Sequence, residues 1–372
     1  MGGFVSTEEV ISLPYWENNT LTSIGKQVRR HIVQMEKIGR NIIEAKQKIY
    51  GPFRLILPVD QIELDVTIPS LMEFLNLIHV GRLDSDQEQR FYKYVEYMWE
   101  GDANFDDGLL KRALSLYKKA AKVALNPAQK ITVNQKIGRT LGRLGNTDEA
   151  LIVFWKLLEN KWLNEYERAS TCTHYAWIEY RKGNLSKAEE FYYRALESSR
   201  GNKYFKVLGE IYNGLGLIRK EYGHYQESLT FYQRALECWS LVDYFYGIQA
   251  VYFNIGNLHR IWGDHTSDNH PALKNSHYRN AKEWTLRCIS LCQKIGIAYE
   301  TSLDHILLSE LFLKAGAPDK AIEYAKIANE MAIAAGNKND IRYSYKALFE
   351  AYTAKGETAL AKAASLKLQE SI

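Results

Sequence analysis

The stretch GNLSKAEEFYYRALESS (183–199) comes back forty positions later as GHYQESLTFYQRALECW (223–239). Gly183 returns as Gly223, and F-Y-x-R-A-L-E occurs at both 191–197 and 231–237. A fixed internal period constrains folding strongly. A repeated unit that cannot bury its own apolar face must stack against its copies. Seven glycines mark the period here: Gly101, Gly145, Gly183, Gly223, Gly263, Gly316 and Gly356, spaced 44, 38, 40, 40, 53 and 40 residues apart. Each closes a helix-like stretch before a polar turn, where a left-handed backbone favours a residue without a Cβ.

Small residues recur around these glycines. Seven positions before come Gly138, Ala176, Gly216, Gly256 and Ser309, and five after come Ala150, Ala188, Ser228 and Ala321. Ala195, Ala235 and Ala328 follow seven further on, and Phe154, Tyr192 and Tyr232 fill an aromatic slot of the second helix. Small residues at fixed offsets on two successive helices let the pair pack closely. The pattern predicts a tandem helix–turn–helix repeat.

This spacing resembles the tetratricopeptide repeat and covers roughly residues 87–372. The resemblance implies an all-α fold, an α-solenoid or superhelix of about seven units, preceded by a helical N-terminal module over residues 1–86. The first unit (Gly101) and the last (Gly356) read as degenerate, with Tyr94 and Phe349 in the small-residue slot. The forty-residue period is similar to that of kinesin light chains and bacterial Rap-type peptide receptors. In the Rap family a concave groove takes short signalling peptides, and an N-terminal bundle acts on a partner protein. The acidic, glutamine-containing motif of that bundle is not evident, so no phosphatase residues are carried over.

In the resembled family the first helix of each unit lines the groove. That implies Gln135, Arg139 and Arg143 in one unit and Thr173, Trp177 and Arg181 in the next. Glu210, Asn213, Leu217 and Lys220 follow in the third, and Phe253, Asn257 and Arg260 in the fourth. An asparagine amide can pair with both N–H and C=O of a bound backbone. Arg139, Arg143, Lys220 and Arg260 would favour an acidic ligand or a free C-terminal carboxylate. The lysine–asparagine–arginine clamp of chaperone-binding repeats is not reproduced.

The remaining features select among functions. Hydrophobic residues at 46% and charged residues at 25% describe a chain that folds. A net charge of +4 gives no ground for a nucleic-acid partner. Four cysteines suit reduced thiols, and Cys288 falls on a packed slot. No nucleophile–base constellation emerges, and GRTLGRLGN (138–146) lacks the strand a phosphate loop needs. The expected protein is non-enzymatic and cytoplasmic, without cofactor or metal, and binds a protein or short peptide.

Two segments stand outside the period. Between Gly263 and Ala281 thirteen extra residues carry His265, His270 and His277 with Asp264 and Asp268. Their spacing matches no common zinc site, and the stretch reads as a surface loop. Residues 21–49 read as one basic amphipathic helix, followed by an extended connector over 51–69 and short helices near 70–79 and 86–99. That basic helix either packs on the first repeat, covers the groove, or engages an acidic partner, membrane surface or nucleic acid. MGGFVS fits a short myristoylation pattern at Gly2. A membrane-associated adaptor is therefore an alternative, although no membrane contact is the primary expectation.

Overall fold

The computed structural model describes residues 43–45, 53–55, 85–296 and 301–370. Apart from 43–45, 53–55 and 85–86, the expected N-terminal module, with Gly2 and the helix near 70–79, lies outside these residues. Two short strands, β1 (Ile43–Ala45) and β2 (Phe53–Leu55), pair antiparallel with Ile43 opposite Leu55, Glu44 opposite Arg54 and Ala45 opposite Phe53. The expected helix over 21–49 therefore does not run through 43–45; its other residues lie outside the described ones.

Among the described residues fourteen helices follow: α1 (Ser85–Asp106), α2 (Leu110–Val123), α3 (Pro127–Arg143), α4 (Thr147–Leu158), α5 (Glu165–Arg181), α6 (Leu185–Ser198) and α7 (Phe205–Glu221). The rest are α8 (Tyr225–Ser240), α9 (Phe245–His265), α10 (Pro271–Ile295), α11 (Ser302–Lys314), α12 (Pro318–Ala335), α13 (Lys338–Lys355) and α14 (Thr358–Glu370). Starts and stops follow local chemistry. Asn126 caps α3 by accepting from the Gln129 N–H at 2.8 Å, and Pro127 fixes the first turn. Gly296, Gly336 and Gly356 end α10, α12 and α13 in the left-handed conformation. The chain divides into two compact units, Met1–Glu167 and Arg168–Ile372, each described by itself.

The predicted hairpins are present, and their packing explains the small residues. A Cβ on Gly138 would lie 2.6 Å from the ring of Phe154, and one on Gly216 would lie 2.6 Å from that of Tyr232. Where a serine takes a small slot, its hydroxyl bonds across the hairpin: Ser228 Oγ donates to Gly216 O at 2.7 Å, and Ser309 Oγ to Ala321 O at 2.8 Å. In the second unit successive first helices touch from α7 onward, α7 with α9, α9 with α11 and α11 with α13.

Two expectations change. Gly101 does not close the first hairpin; it lies inside α1, and Gly108, with φ +77°, makes the turn. Counted from Gly108, the first hairpin is regular. Gly101 takes the small slot against Tyr117, Ala113 and Ala120 are buried on α2, and buried Tyr94 donates to Gln129 O at 3.1 Å. The last hairpin keeps its departure: Phe349 and Ser365 line one open cleft of about 460 Å³.

The thirteen extra residues are the second change. They lengthen helices rather than forming a loop: α9 runs through Gly263 to His265, and α10 begins at Pro271. Proline is at home in the first turn of a helix, so Pro271 starts a helix instead of marking a loop. The added layers pack. His259 and His277 are buried with their Nδ1 atoms 3.2 Å apart, and Trp262 stacks on His277 with centroids 4.4 Å apart. A Cβ on Gly263 would meet the Tyr278 ring at 2.6 Å. Among the described residues no group of three or more His, Cys, Asp or Glu could hold a metal.

Candidate ligand-binding face

In the first unit the face is built by α1 and α3. Arg139 and Arg143 stand one turn apart on α3 and are exposed. Their guanidiniums lie 5.5 and 4.5 Å from the Phe105 ring centroid. Neither has an ion pair among the described residues. Stacking on an aromatic face holds such a cation in place while leaving its N–H groups free for an anion. Gln135 is engaged differently, donating from Nε2 to Glu167 O at 3.1 Å.

In the second unit the expected residues separate into three groups. Thr173 is buried, and its hydroxyl donates to Ala169 O at 2.8 Å, so it is not available to a ligand. Leu217 packs against the core around Tyr232, and Phe253 against Cys288 and Cys292. Trp177 is half-buried under the Arg181 guanidinium, 4.9 Å away.

The cations form the second group, and they are spoken for. Lys220 Nζ lies 3.1 Å from Glu221 Oε1, with only 12% of its side chain exposed. Arg260 donates to Asn257 Oδ1 from Nε at 3.2 Å and Nη2 at 3.0 Å, pairs with Asp264 at 3.1 Å, and reaches Glu310 at 3.4 Å. Lys314 and the Tyr278 hydroxyl, both 2.7 Å from Asp264 Oδ1, complete the network. Burial alone would raise the Asp264 carboxyl, but the bonds from Lys314 and Tyr278 hold it below the usual range. Glu310 is pushed up by burial, against the pull of Arg260. The two cations and two carboxylates balance, so the expected attraction of Arg260 and Lys220 for an acidic ligand is largely internally satisfied.

The amides form the third group. Asn254 Nδ2 on α9 donates to Asn213 Oδ1 on α7 at 2.8 Å. Both side chains are half-buried. This leaves the second N–H of Asn254, the NH2 group of Asn213 and the Asn254 carbonyl oxygen without a protein partner among the described residues. Donors and an acceptor side by side on adjacent first helices match an extended backbone's alternating C=O and N–H. Glu210 stands one turn before Asn213 on α7, half-buried, and its charge raises the buried Tyr192 phenol further after burial itself. Sequence reading missed Asn254 and Glu310, and weighed Asp264 only as a metal ligand. An asparagine three residues before Asn257 was a visible signal, but its partner across helices was not.

A family model described as tetratricopeptide repeat matches residues 169–202, the α5–α6 hairpin. No curated protein matches by sequence. Among solved structures, a Rap protein complexed with Competence and Sporulation Factor is similar with TM-score 0.58 and 14% identity, over 81% of this chain and 81% of that one. Aspartyl phosphate phosphatase F from Bacillus subtilis gives TM-score 0.57 and 14% identity, over 100% and 95%. The apo form of RapI gives 0.55 and 14%, over 75% and 97%. At such identities the likeness is one of fold. The α5–α6 hairpin is a tetratricopeptide repeat, and the helical-repeat fold of the described residues is similar to that of the Rap-type proteins.

Proposed function

We propose that the protein is a non-enzymatic scaffold or sensor that holds a protein segment or short peptide on its first-helix face. Residues 87–372 would form the binding array, and residues 1–86 would transmit or restrict the binding. The observation that carries this reading is the Asn213–Asn254 amide pair, which presents unused donors and an acceptor toward an extended backbone. Recognition of backbone rather than side chains makes the pair tolerant of ligand sequence. In the first unit, taken by itself, the stacked guanidiniums of Arg139 and Arg143 would suit an acidic group or a C-terminal carboxylate.

The test starts from peptides selected from a random display library against the full chain. Affinity for a selected peptide is then measured by calorimetry on Asn213→Ala/Asn254→Ala. Two lost backbone hydrogen bonds of about 1–1.5 kcal/mol each should weaken binding at least tenfold. Unchanged affinity would put the ligand elsewhere. A peptide-gated regulator is the second reading, favoured by the likeness to a Rap protein crystallised with a peptide factor. Small-angle scattering of the same complex separates the two, since a gated regulator compacts on binding and a passive scaffold keeps its profile.

A further inference from the structure

The α13–α14 hairpin exchanges the sizes of its two repeat slots. In three earlier hairpins a small residue stands seven positions before the turn glycine and an aromatic nine after it: Gly138 with Phe154, Ala176 with Tyr192, and Gly216 with Tyr232. Around Gly356 the order is reversed, with Phe349 on α13 and Ser365 on α14. Phe349 is half-buried against the core of the hairpin, and serine is too short to cover what an aromatic ring covers. The open cleft of about 460 Å³ is what remains, and Ala361, Lys362 and Leu366 of α14 also line it.

Beside the cleft α14 carries an ordered stripe. Lys362, Leu366 and Glu370 follow at four-residue intervals and so share one face of the helix; all three are exposed, Leu366 at 53%. Exposed Ala359 and Ala363 border the stripe on the side away from the cleft and leave room for a close-packed helix. Charge changes sign about the leucine. Lys362 has no ion pair among the described residues, and Glu370 meets Lys367 at 2.7 Å in an exposed pair that holds it weakly. Over the adjoining part of the hairpin, Lys346 pairs with Glu350, and Lys355 with Glu357 and Asp319. The surface is therefore close to neutral, with its free charges ordered along one helix.

A uniformly acidic or basic partner would meet a like charge at one end of such a stripe. An antiparallel copy of α14 does not. With Leu366 on the two-fold axis, Lys362 of each copy lies opposite Glu370 of the other, four residues to either side. Moving the axis to between Ala364 and Ser365 would set Lys362 against Lys367, so the charges also select the register. We propose that two copies of the chain associate through α14, antiparallel about Leu366, with two Lys362–Glu370 contacts and each Leu366 at the mouth of the other copy's cleft. One helix pair makes a small interface and so a weak, reversible dimer. It uses neither α7 nor α9 and stands apart from the ligand reading.

Sedimentation equilibrium of the full chain over a range of concentrations is the experiment. The wild type is expected to show a monomer–dimer equilibrium. Leu366→Glu should weaken it at least about tenfold, because two carboxylates then meet on the axis. Lys362→Glu and Glu370→Lys should each weaken it at least about tenfold as well, since each sets like charges face to face twice. Mixed one to one, those two variants should dimerise as the wild type does, because the mixed pair regains both opposite-charge contacts. The changed side chains are exposed, and circular dichroism checks that each variant keeps its helices. A wild type that stays monomeric throughout overturns the proposal. So does a mixture no more associated than its two components, which would put any self-association on another face and leave the cleft to a different occupant.

Discussion

Gly216→Val is expected to lower the stability of the α7–α8 hairpin by about 3 kcal/mol, the upper range for overpacking a tight core. The first added carbon would fall 2.6 Å from the Tyr232 ring, which is fully buried and has nowhere to retreat. The two further methyl carbons deepen the clash. Gly223→Val, seven residues on, should do less. A Cβ there meets open space, and only the left-handed φ of +77° is strained, worth about 1–2 kcal/mol. Hydrogen exchange of α7 and α8 amides in the full chain reads both. If Gly223→Val proves the more damaging, close helix approach is not what the repeated small residues secure.

The second large effect is a pair of opposed proton linkages in the second unit. Burial, then the neighbouring His277, pushes the His259 imidazole down to about 4 from the usual 6.5. His277 and His305 are pushed down by burial as well. For His259 the unfolded chain binds the proton more readily, so its contribution is complete above pH 6.5 and is lost as pH falls toward 4, and His277 and His305 act in the same direction. Asp304 acts in the other sense. Burial pushes its carboxyl up from 3.8 to about 7, so the folded protein holds the extra proton. That contribution is complete below 3.8 and is lost as pH rises through 7. Between about pH 4 and 6.5 the His259 and Asp304 contributions have opposite slopes and offset each other, so the wild type should show a shallower pH dependence than a variant lacking either one. Asp304→Asn removes one side of the balance. It should stabilise the protein at pH 7.5 by an amount on the order of 3 kcal/mol. It should also expose a fall of similar size between pH 7 and 4. Urea midpoints across this range are the measurement. A curve parallel to the wild type would mean that Asp304 is ionised in the fold.

The period, the hairpins and the small-residue contacts were legible because a close approach between helices restricts residue type at the contact itself. Gly138, Gly216 and Ser309 could each be placed from their offsets alone. The first hairpin was misregistered because Gly101 and Gly108 are seven residues apart, and either could fill the turn or the slot. Only their environments differ: one sits under Tyr117, the other at a left-handed φ. The lengthened α9–α10 hairpin was obscured by its polar histidines and by Pro271, which local rules assign equally to a loop or a helix start. The ligand-binding face was the least legible part. Whether Arg260 is free depends on Asp264 and Glu310, and Glu310 lies on a different hairpin. No local pattern encodes that pairing.

The lengthened hairpin also limits how such arms can vary. Moving outward from Gly256 to Gly263 on α9, and from Thr285 to Tyr278 on α10, takes seven residues on each side. Seven residues advance a helix by about 700°, nearly two revolutions, so the same edges of both rods meet again. An arm that grew by five residues would instead turn its glycine about 140° away from the facing ring. Hairpins of this kind should therefore change length in near-whole coils, as a ratchet does, rather than residue by residue.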